Sequence, residues 1–271
     1  MYKWRIYSLY YGDIEGTKEL ITVGVDVGLK VKMPYLGFLL DNGKKKLLVD
    51  TGINERFIID GKAWGALPAK GGTKYVSESL EKIGVKPDDI ETVIYTHLHN
   101  DHTGASHLFE NSVHVFQDDE WKNLLDPLPA QNIRKDYDPE TVPVLKRLNC
   151  LRISGDMEIE PGIKLYKTPG HTLGSMCIGV DTEKGLYVMT GDTAIIKQNL
   201  FPKLDKLVLM DGTEIEITPA PDVYGPAIPS SLVYDFYSWY ESIYRLKVLV
   251  KEEKYALTGH DPSLVNKVFP E

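Results

Sequence analysis

Four side chains able to bind a metal stand within six positions of one another, in the run Thr96-His97-Leu98-His99-Asn100-Asp101-His102-Thr103-Gly104. Imidazole and carboxylate at this density are costly to gather in a folded interior unless a cation uses them. The preceding Thr92-Val93-Ile94-Tyr95 reads as a buried strand that delivers the run to its C-terminal end. On an extended backbone the side-chain period is two, so His97, His99 and Asp101 share a side. His102 points elsewhere unless the chain turns, which Thr103-Gly104 allows. One strand end therefore presents groups for two different cations. A catalytic zinc keeps about three protein ligands and an open position, so the run alone cannot complete two coordination spheres.

Further ligands are available at similar places. His171 lies in Thr168-Pro169-Gly170-His171-Thr172, Asp192 in Thr190-Gly191-Asp192-Thr193, and His260 in Gly259-His260-Asp261. Each follows an apolar strand that runs into a glycine, where the backbone can turn tightly and bring the ligand inward. Taken singly, each is an ordinary loop or turn residue; beside the run at 97–102, a ligand role outweighs that reading. His107 and His114 lack such a setting and read as a surface or packing residue and a structural strand residue. Cys150 and Cys177 read as small apolar core residues.

A chain of 271 residues, 42% hydrophobic, can bury a substantial core. The formal charge of −8 argues against nucleic acid or an anionic membrane as partner. Two cysteines are too few for a disulfide framework, no apolar stretch approaches the ~18 residues of a membrane span, and residues 1–7 lack a signal core. These features predict a cytoplasmic protein. The spacing predicts hairpins over 36–49 and 206–217, strands over 92–95, 113–116, 150–153, 163–166, 175–180, 185–190 and 254–257, and helices over 75–83, 103–108 and 118–125. A long helix is expected after Ser230 and Ser231 as caps, and loops over 53–72 and 127–143. Packed sheets with helices outside fit this order, as a layered α/β or α+β domain.

The His-x-His-x-Asp-His run, the later Gly-His, Gly-Asp and Gly-His-Asp steps, and Asp50-Thr51-Gly52 after Leu47 together resemble the metallo-β-lactamase superfamily. The resemblance covers nearly the whole chain and implies an α+β fold, a four-layer αββα sandwich with metals at one edge. Residues 1–271 would form a single domain, with a hairpin inserted at 204–221 that could cover the site or bind a second subunit in a homodimer. The resemblance implies that His97, His99 and His171 hold one divalent ion, that Asp101, His102 and His260 hold a second, and that Asp192 bridges them. Asp50 would orient the ligand loop from behind. Zinc is the first expectation for both ions, with iron, manganese or cobalt also compatible.

Within the superfamily the chain is most similar to the N-acyl-homoserine-lactone hydrolase branch. That branch implies a quorum-quenching lactonase in which a hydroxide bridging the metals attacks a small lactone or ester, and in which Asp101 passes a proton to the departing alkoxide. Thioester, phosphodiester and β-lactam hydrolysis are the alternatives. The branch usually carries a tyrosine three residues after the bridging aspartate; here that position is Ile195. Tyr224 is a candidate to supply the missing hydroxyl, and Trp64, Tyr137, Tyr234 and Phe236 are candidates for a pocket wall.

Overall fold

The computed structural model describes residues 3–271. The chain opens with strands β1 (Arg5–Thr17), β2 (Lys30–Asp41), β3 (Lys46–Val49), β4 (Ala69–Gly71), β5 (Thr92–Ile94), β6 (Val113–Gln117) and β7 (Asn149–Ile153). It continues with β8 (Met157–Glu160), β9 (Ile163–Lys167), β10 (Met176–Thr182) and β11 (Gly185–Gly191). The hairpin β12 (Lys206–Val208) and β13 (Glu214–Glu216) precedes β14 (Ala256–Thr258) and β15 (Val268–Phe269). The first sheet has the order β15-β1-β2-β3-β5-β6-β7 with β4 paired to β1; the second has the order β14-β11-β10-β9-β8.

Alternation along the strands builds the layers. Leu47 and Val49 of β3 and Ile94 of β5 face Leu165, Ile178 and Met189 of the second sheet, forming the central core. Their neighbours Leu48 and Val93 point the other way, against Val76 and Leu80 of the helix Thr73–Lys82. In the second sheet, Cys177 and Val188 turn outward to meet Trp239, Ile243 and Leu246 of the helix Phe236–Leu249. Helix, sheet, sheet, helix follow in order, as the resemblance implies.

Several local expectations shift. The helix expected over 103–108 is instead a short helix at Asn100–Thr103 and a single 3-10 turn at Ser106–Leu108. The segment read as a 127–143 loop contains the helix Pro129–Arg134 and the start of another, Thr141–Arg147. The long helix is not capped by Ser230 or Ser231. Asp235 caps it, its carboxylate accepting from the amides of Tyr237 and Ser238 at 3.0 and 3.2 Å, whereas Ser231 Oγ donates to the Leu20 carbonyl. Phe236, the first residue of this helix, is exposed, and Trp239 is buried. Cys177 is fully buried, but Cys150 is only partly so.

Candidate metal centre

Strand direction explains why distant residues meet. β3 and β5 run parallel in the first sheet, as do β11 and β14 in the second; β9 shares their direction because two antiparallel steps separate it from β11. Asp50, the 97–102 run, His171, Asp192 and His260 all follow the C-terminal ends of these strands, so they leave along one edge of the sandwich. The amide of Met176 donates to the Thr96 carbonyl at 2.8 Å, tying the second sheet to the start of the run. The helix Asn100–Thr103 makes the turn that His102 needs to rejoin the other imidazoles.

Two of the glycines act in different ways. Gly170 has φ +137°, a conformation other residues rarely adopt, and a Cβ there would lie 2.4 Å from Trp239 Cα. Gly259 serves close approach rather than a turn, since its Cβ would stand 2.6 Å from Asp192 Oδ1.

All seven expected ligand residues converge. One ligand atom from each of His97, His99 and His171 falls within 4.8 Å of the others, and the same holds for Asp101, His102 and His260 and for His97, His102 and Asp192. Asp192 presents a different oxygen to each half. Its Oδ1 lies 3.0 Å from His260 Nε2 and 3.4 Å from His102 Nε2, while Oδ2 lies 3.5 Å from His171 Nε2. Asp101 reaches from the side, 3.8 Å from both His102 Nε2 and His260 Nε2.

Outer partners fix which nitrogen faces inward in four of the five rings; the fifth, His99, has its Nδ1 3.1 Å from His171 Nε2 within the cluster. His171 Nδ1 donates to the Leu232 carbonyl at 3.0 Å and His260 Nδ1 to the Pro34 carbonyl at 2.9 Å. His102 Nδ1 donates to Asp50 Oδ2 at 2.8 Å. Thr96 Oγ1 donates to the same Asp50 oxygen, which leaves it to accept from His97 Nδ1 at 3.1 Å. In the neutral rings the four Nε2 atoms then carry lone pairs, directed at one another and at a carboxylate. His97 Nε2, His99 Nε2, His102 Nε2 and Asp192 Oδ1 are buried without a hydrogen bond. Acceptors facing acceptors in a buried site repel unless a cation stands between them, so the donor set fits divalent metal ions.

The electrostatics divide the cluster. Burial, then neighbouring imidazoles, hold His97 and His99 well below the usual imidazole range, in the neutral state a ligand requires. Burial opposes protonation of His102 and His260 too, but the carboxylates of Asp50, Asp101 and Asp192 around His102, and of Asp192 and Asp101 around His260, outweigh it and raise both. Burial likewise works against ionised Asp192, yet His260, His102 and His171 hold it well below the carboxylate range. The cluster draws positive charge to its His102–Asp192–His260 side.

Asp50 sits behind the ligands at φ +59°, where a short polar side chain is tolerated. It accepts from the Thr96 amide at 2.8 Å as well as from Thr96 Oγ1 and His102. Sequence reasoning missed a second organising carboxylate, Glu120. Fully buried, it accepts from the amides of Leu98 (2.8 Å) and Gly174 (2.9 Å) and from the Tyr137 hydroxyl (3.2 Å), so it joins the His97–His99 segment to the His171 loop. Burial raises its carboxyl above the usual range despite these donors. Its place in the acidic stretch Asp118-Asp119-Glu120 gave no local sign of burial.

A cavity of about 820 Å³ opens beside Asp101, Asp192 and His260. Its wall is largely apolar, with Ile14, Met33, Phe57, Trp64 and Leu67, and with Ile195 near the ligands; Arg56, Lys62, Arg134 and Lys135 also line it. Trp64 and Ile195 thus stand where expected. Tyr137 packs its ring on His99 at 4.8 Å rather than lining the cavity. Tyr234 and Phe236 do not line it. Tyr224 must be corrected: its hydroxyl donates to the Val23 carbonyl at 2.8 Å and it packs with Val25, Ala220 and Ile228, away from the cavity. No residue of 204–221 lines the cavity either; Leu207 and Ile217 of that segment pack on Val31 of the same chain. His107 is exposed, and His114 is held between the Tyr95 hydroxyl and the Phe109 carbonyl.

A family model described as the metallo-beta-lactamase superfamily matches residues 34–260, and the chain belongs to that superfamily. Among its relatives, an N-acyl homoserine lactonase of Bacillus cereus is 30% identical over 255 residues, which is 90% of this chain and 88% of the relative. N-acyl homoserine lactonase AiiA of Bacillus thuringiensis subsp. kurstaki is 30% identical over 258 residues, with the same shares covered. A solved structure of an N-acyl homoserine lactone hydrolase, with the product N-hexanoyl-L-homoserine at its catalytic metal center, superposes with TM-score 0.74 at 26% identity. That match covers 97% of this chain and 95% of the other.

Proposed function

We propose that this chain is a dinuclear metal-dependent hydrolase that opens small lactones of the N-acyl homoserine lactone type. The observation that carries the reading is Asp192 placed between two histidine sets, with one oxygen toward each, at the end of an apolar cavity. In this reading His97, His99 and His171 hold one ion, Asp101, His102 and His260 the other, and Asp192 both. Two divalent cations in these positions supply Lewis acidity toward an ester carbonyl and acidify water near neutral pH. Zinc fits the imidazole-rich donor set.

The chain's own residues do the rest. The apolar wall binds an acyl group and excludes water from the reacting end. Asp101, whose side chain is 24% exposed against 6% for Asp192, is the ligand carboxylate that reaches substrate. Its Oδ takes up the proton that the attacking water gives up and passes it to the departing alkoxide, which the ring opening requires. Residues 1–271 act as one domain carrying the 204–221 insertion, working in the cytoplasm. Among the described residues no helix is long and apolar enough to cross a membrane.

The test is to strip the protein with a chelator, reload it with zinc, and assay N-acyl homoserine lactones beside thioesters, phosphodiesters and β-lactams. Lactone opening that is lost on stripping and restored on reloading supports the reading; faster turnover of another class would replace it.

A further inference from the structure

The related lactonase branch places a tyrosine where this chain has Ile195, and the candidate substitute Tyr224 has its hydroxyl committed elsewhere. A lactone carbonyl or ring oxygen entering the cavity would still gain from a neutral donor. Asn100 lines the cavity, with one N–H of its amide held by the Lys135 carbonyl at 2.6 Å. Arg134 is paired with Asp136 and stacked over Trp64, Arg56 is paired with Asp138, and Lys62 and Lys135 are exposed. No serine or threonine lines the cavity, and among the described lining residues Tyr35 alone carries a hydroxyl.

Tyr35 is placed by its backbone. β1 pairs Tyr10 with Leu36 and Asp13 with Pro34, so Tyr11 and Gly12 together oppose Tyr35 across a β-bulge. Bulges re-aim side chains beside active sites. The preceding residue, Pro34, accepts the His260 Nδ1 proton at 2.9 Å, which ties this stretch of β2 to a ligand of the centre. The Tyr35 ring stands edge-on to His260, with ring centroids 6.1 Å apart, and is only 3% exposed. Its hydroxyl has no hydrogen-bond partner among the described residues, yet it is not among the sealed, unpartnered buried atoms, so it opens toward the cavity. An ordinary phenol, with a pKa of about 10, keeps its proton at neutral pH and can donate it in a hydrogen bond.

We propose that Tyr35 is the hydrogen-bond donor to the substrate's ester oxygens in this site, entering from β2 rather than from the loop after Asp192. The assignment rests on the lactone reading above and specifies which residue contacts the substrate.

The experiment compares wild type, Tyr35→Phe and the double variant Tyr35→Phe/Ile195→Tyr, each with its metal content measured. Tyr35→Phe is expected to keep two ions per chain and lower kcat on a lactone roughly 100–1,000-fold, as loss of one donor to a developing oxyanion does. Calorimetric affinity for a non-hydrolysable lactam of the same ring is expected to weaken about tenfold in this variant, a readout independent of turnover. Restoring a phenol at position 195 is expected to recover part of the lost kcat. Unchanged kcat and lactam affinity in Tyr35→Phe, or a loss that simply follows departing metal, would overturn the assignment. If the metal-loaded wild type opens no lactone, the functional reading fails instead, and the two failures are thereby distinguished.

Discussion

Oδ2 of Asp50 lies 2.8 Å from Nδ1 of His102, and through this contact a carboxylate outside the ligand set fixes the ring that faces Asp101 and Asp192. The same carboxylate receives both the amide and the hydroxyl of Thr96, so it sets the ring and the strand end together. Asp50→Asn presents an amide in place of one acceptor oxygen and removes the charge. Metal affinity of the His102 side is expected to fall about 10–100-fold, read by competition with a chromophoric chelator. Unaltered affinity would show that Asp50 does not orient the ligand.

Asp101→Asn keeps an oxygen donor but cannot hold a proton for an alkoxide. With Asp192, His102 and His260 intact, the variant is expected to retain metal while kcat on a lactone drops at least ~100-fold. Elemental analysis and steady-state kinetics on the same sample check this; full activity would remove the proton-transfer role.

Gly259→Ala places a methyl 2.6 Å from Asp192 Oδ1 and 2.7 Å from the Gly191 carbonyl. Asp192 must then move from between the histidines. The variant is expected to fold with a native far-ultraviolet dichroism spectrum yet bind metal at least ~10-fold more weakly, since displaced ligands lose both geometry and charge. Wild-type affinity would mean that Asp192 is not required at its observed place.

Stability should respond to a largely buried ion pair away from the candidate metal centre. Lys18 is fully buried with Asp26 at 2.8 Å, and its ammonium also donates to Gln198 and Thr22. Asp26→Asn leaves that ammonium unpaired, and denaturation at pH 7 should show a loss of about 3 kcal/mol. Burial works against ionised Asp26, but Lys18 and Thr218 outweigh it and lower its carboxyl below the usual 3.8. The unfolded chain therefore takes up the proton first as pH falls. The stabilisation from Asp26 is present above about pH 4 and is lost as pH drops through the lowered native value, so the gap between wild type and variant should narrow in acid. A pH-independent gap would contradict this assignment.

The residues that converge at the candidate metal centre were legible because each carries its own local mark: a dense His/Asp run after an apolar strand, or a glycine beside a His or Asp at a strand end. The layer order was legible because strands such as Leu47-Leu48-Val49 are apolar on both faces, as strands buried between two layers must be. Asp235 rather than Ser231 caps the helix because the amides of Tyr234 and Asp235 are held by the Gly170 carbonyl, a tertiary partner the local sequence does not reveal, and the helix starts only at Phe236. Glu120 and Tyr35 were illegible for the same physical reason. One hides in an acidic stretch and the other in an apolar strand, and each acquires its role only when a distant element packs beside it.

The number of ions each chain holds tests the account most directly. Purified protein, saturated with zinc and freed of excess metal, should contain two equivalents per chain by elemental analysis, and Asp192→Ala should lower that number. One equivalent or none in the wild type, or two in the Asp192 variant at unchanged affinity, would contradict a centre built around a shared carboxylate.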